Sequence, residues 1–194
     1  MRKDFGVKTW LYPQPVFVLA AYGADGVPDA MCAAWGGITY DTRLSICLDS
    51  EHKIVENIVH SGAFTVSMAT AAYATQCDYL GIVSGHDVPD KVERSGLHIV
   101  RAGHVNAPLI SELPLAVECS LVSFDAEECL LVGEIVNVSA DESILDADGK
   151  LDVGKLRPIT YDPVRQKYRV VGEVVADAFR AGLAIARGGA SSDT

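Results

Sequence analysis

Short blocks of apolar residues, separated by turn-forming clusters, run along most of this chain. Residues 16–21 (Val-Phe-Val-Leu-Ala-Ala) are an unbroken apolar run behind Pro13 and Pro15, whose rings bar regular structure, and they read as a buried strand. Gly23-Ala24-Asp25-Gly26 tolerates positive φ and predicts a hairpin turn, closed by Pro28. Residues 44–48 alternate as a half-buried strand. Over 51–60, Ile54, Val55 and Ile58 recur at helical spacing, with Gly62 placed to end the helix.

The pattern then predicts a strand over 63–68, a helix over 71–83 stopped by Ser84 and Gly85, and a short charged segment over 87–94. Two long apolar runs, 114–124 and 130–138, read as an antiparallel pair joined across 125–128. Val175, Phe179 and Leu183 fall in register for an amphipathic helix over 172–187, and the Gly- and Ser-rich tail 188–194 is expected to be disordered. Strands of uneven length with a few peripheral helices predict a mainly β, barrel-like domain rather than a doubly wound parallel sheet. Neither a Gly-x-Gly-x-x-Gly turn nor a Gly-x-x-x-x-Gly-Lys-Ser/Thr loop is present, which argues against a Rossmann domain.

One stretch departs from ordinary strand composition. Met31-Cys32-Ala33-Ala34-Trp35-Gly36-Gly37 is an extended run of mostly small side chains. Strand interiors favour β-branched and aromatic residues, so something else must fill this volume or approach the backbone closely. The filler is either a flat ring or a neighbouring strand in a tight barrel.

The next feature is a helix start near Ser50. A helix N-terminus carries roughly half a positive charge and favours acidic neighbours. Glu51 complies, but His52 and Lys53 do not. Two potential cations there fit a bound anion, with the amides, the Ser50 hydroxyl and the Lys53 ammonium converging on phosphate oxygens. The alternative is an ordinary solvated first turn capped by Ser50 or Asp49.

Composition narrows the partners. A chain of 194 residues with 49% hydrophobic content can bury a substantial core, and a single domain over 1–194, with its core at about 10–187, is expected. The net charge of −10 argues against nucleic acid or an anionic membrane as main partner. Five cysteines without a CxxC pair indicate neither a disulfide framework nor a zinc site. With no signal-peptide-like start and no run of about 18 apolar residues, a cytoplasmic protein is expected. His60, His86, His98 and His104 lack metal-ligand spacing, so no metal site is assigned.

In order along the chain, Tyr12-Pro13-x-Pro15-Val16, Asp29-Ala30-Met31-Cys32-Ala33-Ala34-Trp35-Gly36, Ser50-x-His52-Lys53-x-x-x-Asn57-Ile58 and Ser84-Gly85-x-Asp87-x-x-Asp90-Lys91 resemble the flavoredoxin group of flavin reductase-like proteins. Gly96-Leu97, Ala107-Pro108-Leu109-Ile110, Glu118-Cys119, Tyr168-x-x-x-Gly172-Glu173 and Ala178-Phe179 extend the resemblance over residues 10 to 185. It implies an FMN-binding split β-barrel and a homodimer with the flavin near the interface. By position, Met31, Cys32, Ala33, Ala34 and Trp35 would lie along the isoalloxazine and ribityl groups. Ser50, His52 and Lys53 would grip the phosphate, with Asn57 supporting that turn. Ser84, Gly85 and Lys91 would form a loop over the cofactor.

The chain also departs from that pattern. Asp29 and Cys32 stand where many members carry Asn and Thr, which puts a carboxylate and a thiol where an amide and a hydroxyl would face the flavin. An ionised Asp29 there is expected to lower the flavin's reduction potential. Cys32 reads as a small buried side chain or, alternatively, a redox-active thiol.

The function implied is oxidoreduction. FMN would accept a hydride from NAD(P)H and pass electrons to a small molecule or a redox protein, and hydride transfer needs no side-chain nucleophile, so no catalytic residue is assigned. The alternative is an FMN carrier, store or sensor without efficient NAD(P)H oxidation.

Overall fold

In the computed structural model, which describes residues 1–186, the apolar run behind the prolines forms β2 (Phe17–Tyr22), preceded by a two-residue β1 (Gln14–Pro15). The expected tail lies outside the described residues. The hairpin turn leads into β3 (Pro28–Ala33), paired antiparallel to β2 with Leu19 opposite Met31. The small-residue run does not continue as one strand. It breaks at Ala34 and Trp35, and β4 (Gly36–Tyr40) starts on the far side, leading through β5 (Arg43–Cys47) to α1 (Lys53–Ser61).

After α1 come β6 (Ala63–Met68), a 3-10 turn (Ala71–Tyr73), α2 (Ala74–Ile82), α3 (Lys91–Arg94), β7 (Ile99–Arg101) and β8 (Pro108–Ile110). The expected 71–83 helix thus divides into a 3-10 turn and α2. The two long apolar runs form β9 (Leu115–Asp125) and β10 (Leu130–Ala140), antiparallel as expected, with register shifts at Val132/Gly133 and Ile135/Asn137. A second 3-10 turn (Glu142–Ile144), α4 (Val153–Leu156), β11 (Ile159–Asp162), β12 (Lys167–Val170) and α5 (Leu183–Ala186) complete the described chain.

Seven strands form one antiparallel sheet in the order β3-β2-β6-β9-β10-β5-β4. Its two edges, β3 and β4, are joined by only Ala34 and Trp35. A link that short spans about 10 Å at full extension, so the sheet must curl until its edges nearly meet. The expected barrel-type β architecture is therefore what the chain adopts, split at the β3–β4 seam.

Strand β2 explains why residues 16–21 are apolar throughout. Phe17 and Leu19 face a core inside the curl with Ile46, Ile54, Ile58, Phe64, Val66 and Leu131, whereas Val18 and Ala20 face a second core with Ala30, Cys77, Leu80 and Ile110. A strand buried on both faces carries no polar alternation. Helix α1 fills the inner core with Ile54, Val55 and Ile58, and ends as expected at Gly62, whose φ of 68° carries its amide to Ile58 O at 2.9 Å.

The expected helix over 172–187 does not form. Only α5, a single turn, is helical, and Val174, Val175 and Phe179 stand 91%, 91% and 101% exposed. An amphipathic stripe becomes a stable helix when a core takes its apolar face, and none of the described residues does so here.

Candidate functional site

Strand β3 borders the site because it is an edge. One side of its backbone pairs with β2; the other faces the seam, where a larger cavity of about 510 Å³ opens. Met31, Cys32, Ala33, Ala34 and Trp35 all line it, together with Cys47, Leu48 and His52. Its opposite wall comes from α2 (Asp78, Gly81, Ile82) and from the β11–β12 hairpin (Tyr161, Gln166, Lys167, Tyr168). Small side chains on an edge strand leave backbone amides and carbonyls reachable by a flat ligand.

A smaller cavity of about 210 Å³ adjoins it and shares Met31, His52, Gly81 and Ile82. Lys53, Ser84, Gly85, Lys91 and Asp29 complete the lining named in the sequence. This cavity lies at the start of α1. The helix is capped by His52, without a side-chain cap, rather than by Ser50 or Asp49; Asp49 Oδ1 instead accepts from Glu51 N at 2.9 Å. Val55 and Glu56 both donate to His52 O, at 3.0 and 3.3 Å, which leaves the Lys53 and Ile54 amides without an acceptor among the described residues.

Two expected residues are not brought into either cavity. Ser50 is exposed and lines a separate outer depression with Glu51, Val55 and Phe124, because the chain turns at Asp49 before the helix starts. Asn57 is 1% exposed, one turn into α1, beneath Gly23 of the hairpin turn: a Cβ on Gly23 would stand 3.2 Å from Asn57 Oδ1. Lys53 reaches the site but its Nζ also pairs with Glu56 Oε1 at 2.7 Å.

Lys91, expected on a loop over the cofactor with Ser84 and Gly85, instead opens α3. Only 2% exposed, it donates to Val83 O at 3.0 Å, approaches Leu80 O at 3.5 Å, and forms an ion pair with Asp29 Oδ1 at 3.2 Å. It thereby satisfies carbonyls at the end of α2 and compensates Asp29, so the negative charge expected beside a flavin is already countered. Gly85 permits this packing, since a Cβ there would lie 2.7 Å from Asp29 Oδ1. Burial raises the Asp29 carboxyl above its ordinary value, with Lys91 pulling the other way.

Burial pushes the Cys32 thiol up to about 12 and the Cys77 thiol up to about 11, so neither is a ready thiolate. Cys32 is therefore read as a small wall residue. The far wall is the part that sequence patterns missed. Asp78 and Gly81 sit three residues apart on α2, a spacing that places both toward one face; Tyr168 belongs to a motif of the resemblance without a site role, and nothing local marks Tyr161.

An edge strand of small residues, a seam cavity and a polar chamber at a helix start define the class: residues 9–166 match the flavin reductase like domain, and the chain belongs to that family. The split-barrel fold is shared with flavoredoxin of Desulfovibrio vulgaris (Miyazaki F), 38% identical, with a TM-score of 0.89 over 94% of this chain and 100% of that one. Flavoredoxin from Methanosarcina acetivorans is 25% identical, with a TM-score of 0.84 over 95% of this chain and 100% of that one. An uncharacterized protein of Aeropyrum pernix is 34% identical over 115 residues, which are 58% of this chain but only 43% of that relative. The chain thus matches less than half the length of that curated relative.

Among the described residues, no helix is long and apolar enough to cross a membrane.

Proposed function

We propose that the two joined cavities hold FMN, and that the chain is a flavin-dependent oxidoreductase taking a hydride from NAD(P)H and passing electrons to a small-molecule or protein acceptor. The observation that carries this reading is the continuity of the small-residue edge, Met31 to Trp35, with a chamber at the start of α1 where two amides, Lys53 and Ser84 are available. The larger cavity, about 510 Å³, lies within the range of about 300–1,000 Å³ usual for ligand sites. The chamber's amides and Lys53 suit the phosphate, and the smooth strand suits the ring.

When bound, FMN supplies the hydride and electron chemistry. The chain's own residues bind and orient it. Met31 to Trp35 wall the ring side, His52, Lys53 and Ser84 stand at the phosphate side, and Tyr161 and Tyr168 shield the seam from water. No side-chain nucleophile is required.

A homodimer and a cytoplasmic setting belong to the same reading. Ile38, Tyr40, Val136 and Val138 on β4 and β10 are 71%, 69%, 48% and 54% exposed, apolar surface that a second copy would cover. All five cysteines are free, which suits a reducing compartment.

The test is an absorbance spectrum of the protein loaded with FMN, followed by anaerobic addition of NADH or NADPH. Bleaching of the flavin band supports the oxidoreductase reading; a protein that binds FMN yet stays yellow is a carrier, and one that takes up no FMN refutes the site.

A further inference from the structure

The smaller cavity contains an ionisable group that flavin binding as described above does not use. Asp29 is 6% exposed and lines the cavity; its Oδ1 has the 3.2 Å ion pair with Lys91, and its Oδ2 has no hydrogen-bond partner among the described residues. Buried polar atoms are normally satisfied, so the unpaired Oδ2 of a side chain on a cavity wall marks a place where a ligand atom belongs.

The surroundings limit what that atom can be. Strand β3 contributes Met31, and the start of α1 contributes the N-cap His52, Lys53 and the free amides of Lys53 and Ile54. The loop after α2 contributes Ser84 and Gly85, α2 itself presents the non-titratable Gly81 and Ile82, and α3 contributes Lys91. Apart from Asp29, the ionisable groups that line the cavity are all basic, a setting that draws an anion. An ionised carboxylate sharing a chamber of about 210 Å³ with a phosphate repels it and competes with it for Lys91, whereas a neutral carboxyl has an O–H to give.

We propose that Asp29 meets the phosphate of bound FMN as a protonated carboxyl donating a hydrogen bond to a phosphate oxygen, so that FMN binding takes up one proton. The proton comes from solvent and forms the carboxyl O–H. Lys91, no longer neutralised by Asp29, then acts as a countercharge to the phosphate. Burial already biases the carboxyl toward the protonated form. An asparagine at this position would supply an N–H donor without any proton; aspartate makes the affinity of this chain depend on pH. The inference rests on the FMN reading above.

The test is isothermal titration of the full chain at pH 7.5 in two buffers of different ionisation enthalpy, with FMN, with riboflavin, and with FMN on Asp29→Asn. The expected result is uptake of about one proton per FMN, a Kd that rises about tenfold per pH unit, and no uptake with riboflavin or with Asp29→Asn. FMN binding with less than about a third of a proton taken up overturns the inference and leaves the FMN reading standing. Uptake that persists in Asp29→Asn or with riboflavin places the proton elsewhere and also overturns it. Failure of the wild type to bind FMN refutes the FMN reading and the inference together. Should Asp29→Asn not fold, the Asp29 carboxyl carbon in the wild type decides by ¹³C NMR: FMN must move it to the protonated position, and a resonance that stays put overturns the proposal.

Discussion

Tyr168 on β12 donates a hydrogen bond to Asp78 on α2, with an O···O distance of 2.7 Å, joining the two elements that form the far wall of the larger cavity. Among the described residues β12 pairs only with β11, whose other neighbour is the two-residue β1, so this bond ties the outer strand of the hairpin to the body of the protein. Burial and the Asp78 carboxylate together raise the Tyr168 hydroxyl above its ordinary value, which keeps it a donor through the physiological range. Tyr168→Phe is expected to cost about 1 kcal/mol of stability and to speed flavin release. Thermal denaturation and stopped-flow fluorescence check the two effects; unchanged release would make the bond purely structural.

Lys53 is shared between the small cavity and Glu56. Lys53→Ala is expected to weaken FMN binding by about 1.5–3 kcal/mol through loss of a charge-assisted contact. Glu56→Gln should act in the opposite direction by freeing the ammonium. Fluorescence titrations of both variants settle the matter, and equal affinity in all three proteins would remove Lys53 from the phosphate site.

Gly85 lies against the carboxyl of Asp29. The Cβ of Gly85→Ala would sit 2.7 Å from Oδ1 and 2.9 Å from Cγ of a side chain that is itself buried. The overpacking is expected to cost about 1–3 kcal/mol and to shift Asp29 into the cavity, weakening FMN binding as well. Chemical denaturation and FMN titration of this variant report the two consequences separately.

Acid sensitivity should arise at Asp162, which accepts from Tyr12 at 2.6 Å and from Arg169 at 2.9 Å. The Tyr12 hydroxyl first, and then the Arg169 guanidinium, hold its carboxyl down to about 2. A carboxyl depressed in the folded state stabilises the fold at pH values above about 3.9, and that contribution disappears as the pH falls through the folded value. Tm measured between pH 5 and pH 2 should therefore decline, and Asp162→Asn should flatten the decline while lowering Tm at neutral pH.

The apolar surface on β4 and β10 predicts the assembly state. Light scattering should give twice the chain mass of 20.7 kDa, and Ile38→Lys combined with Tyr40→Lys should give single chains. A monomeric wild type would end the dimer proposal.

Features set by local pattern are legible in the amino-acid order alone. The buried strand read at 16–21, which forms over Phe17–Tyr22, the Gly62-capped helix and the long β9–β10 pair follow from apolar periodicity and turn chemistry, which act over a few residues. The ribbon of small residues from Met31 to Trp35 was equally legible, because an unusual lack of side-chain volume is visible without a fold. Tertiary structure alone decided what faces that ribbon. Asp78, Tyr161 and Tyr168 join the cavity because the curled sheet brings β3, α2 and the last hairpin together, and Asp29 gains Lys91 because α3 packs back on β3. The segment from 172 onward shows the converse: its amphipathic spacing is present, but helical spacing describes only which face a helix would bury. Whether there is a surface to bury it against depends on packing across the whole chain, and among the described residues Val174, Val175 and Phe179 find none.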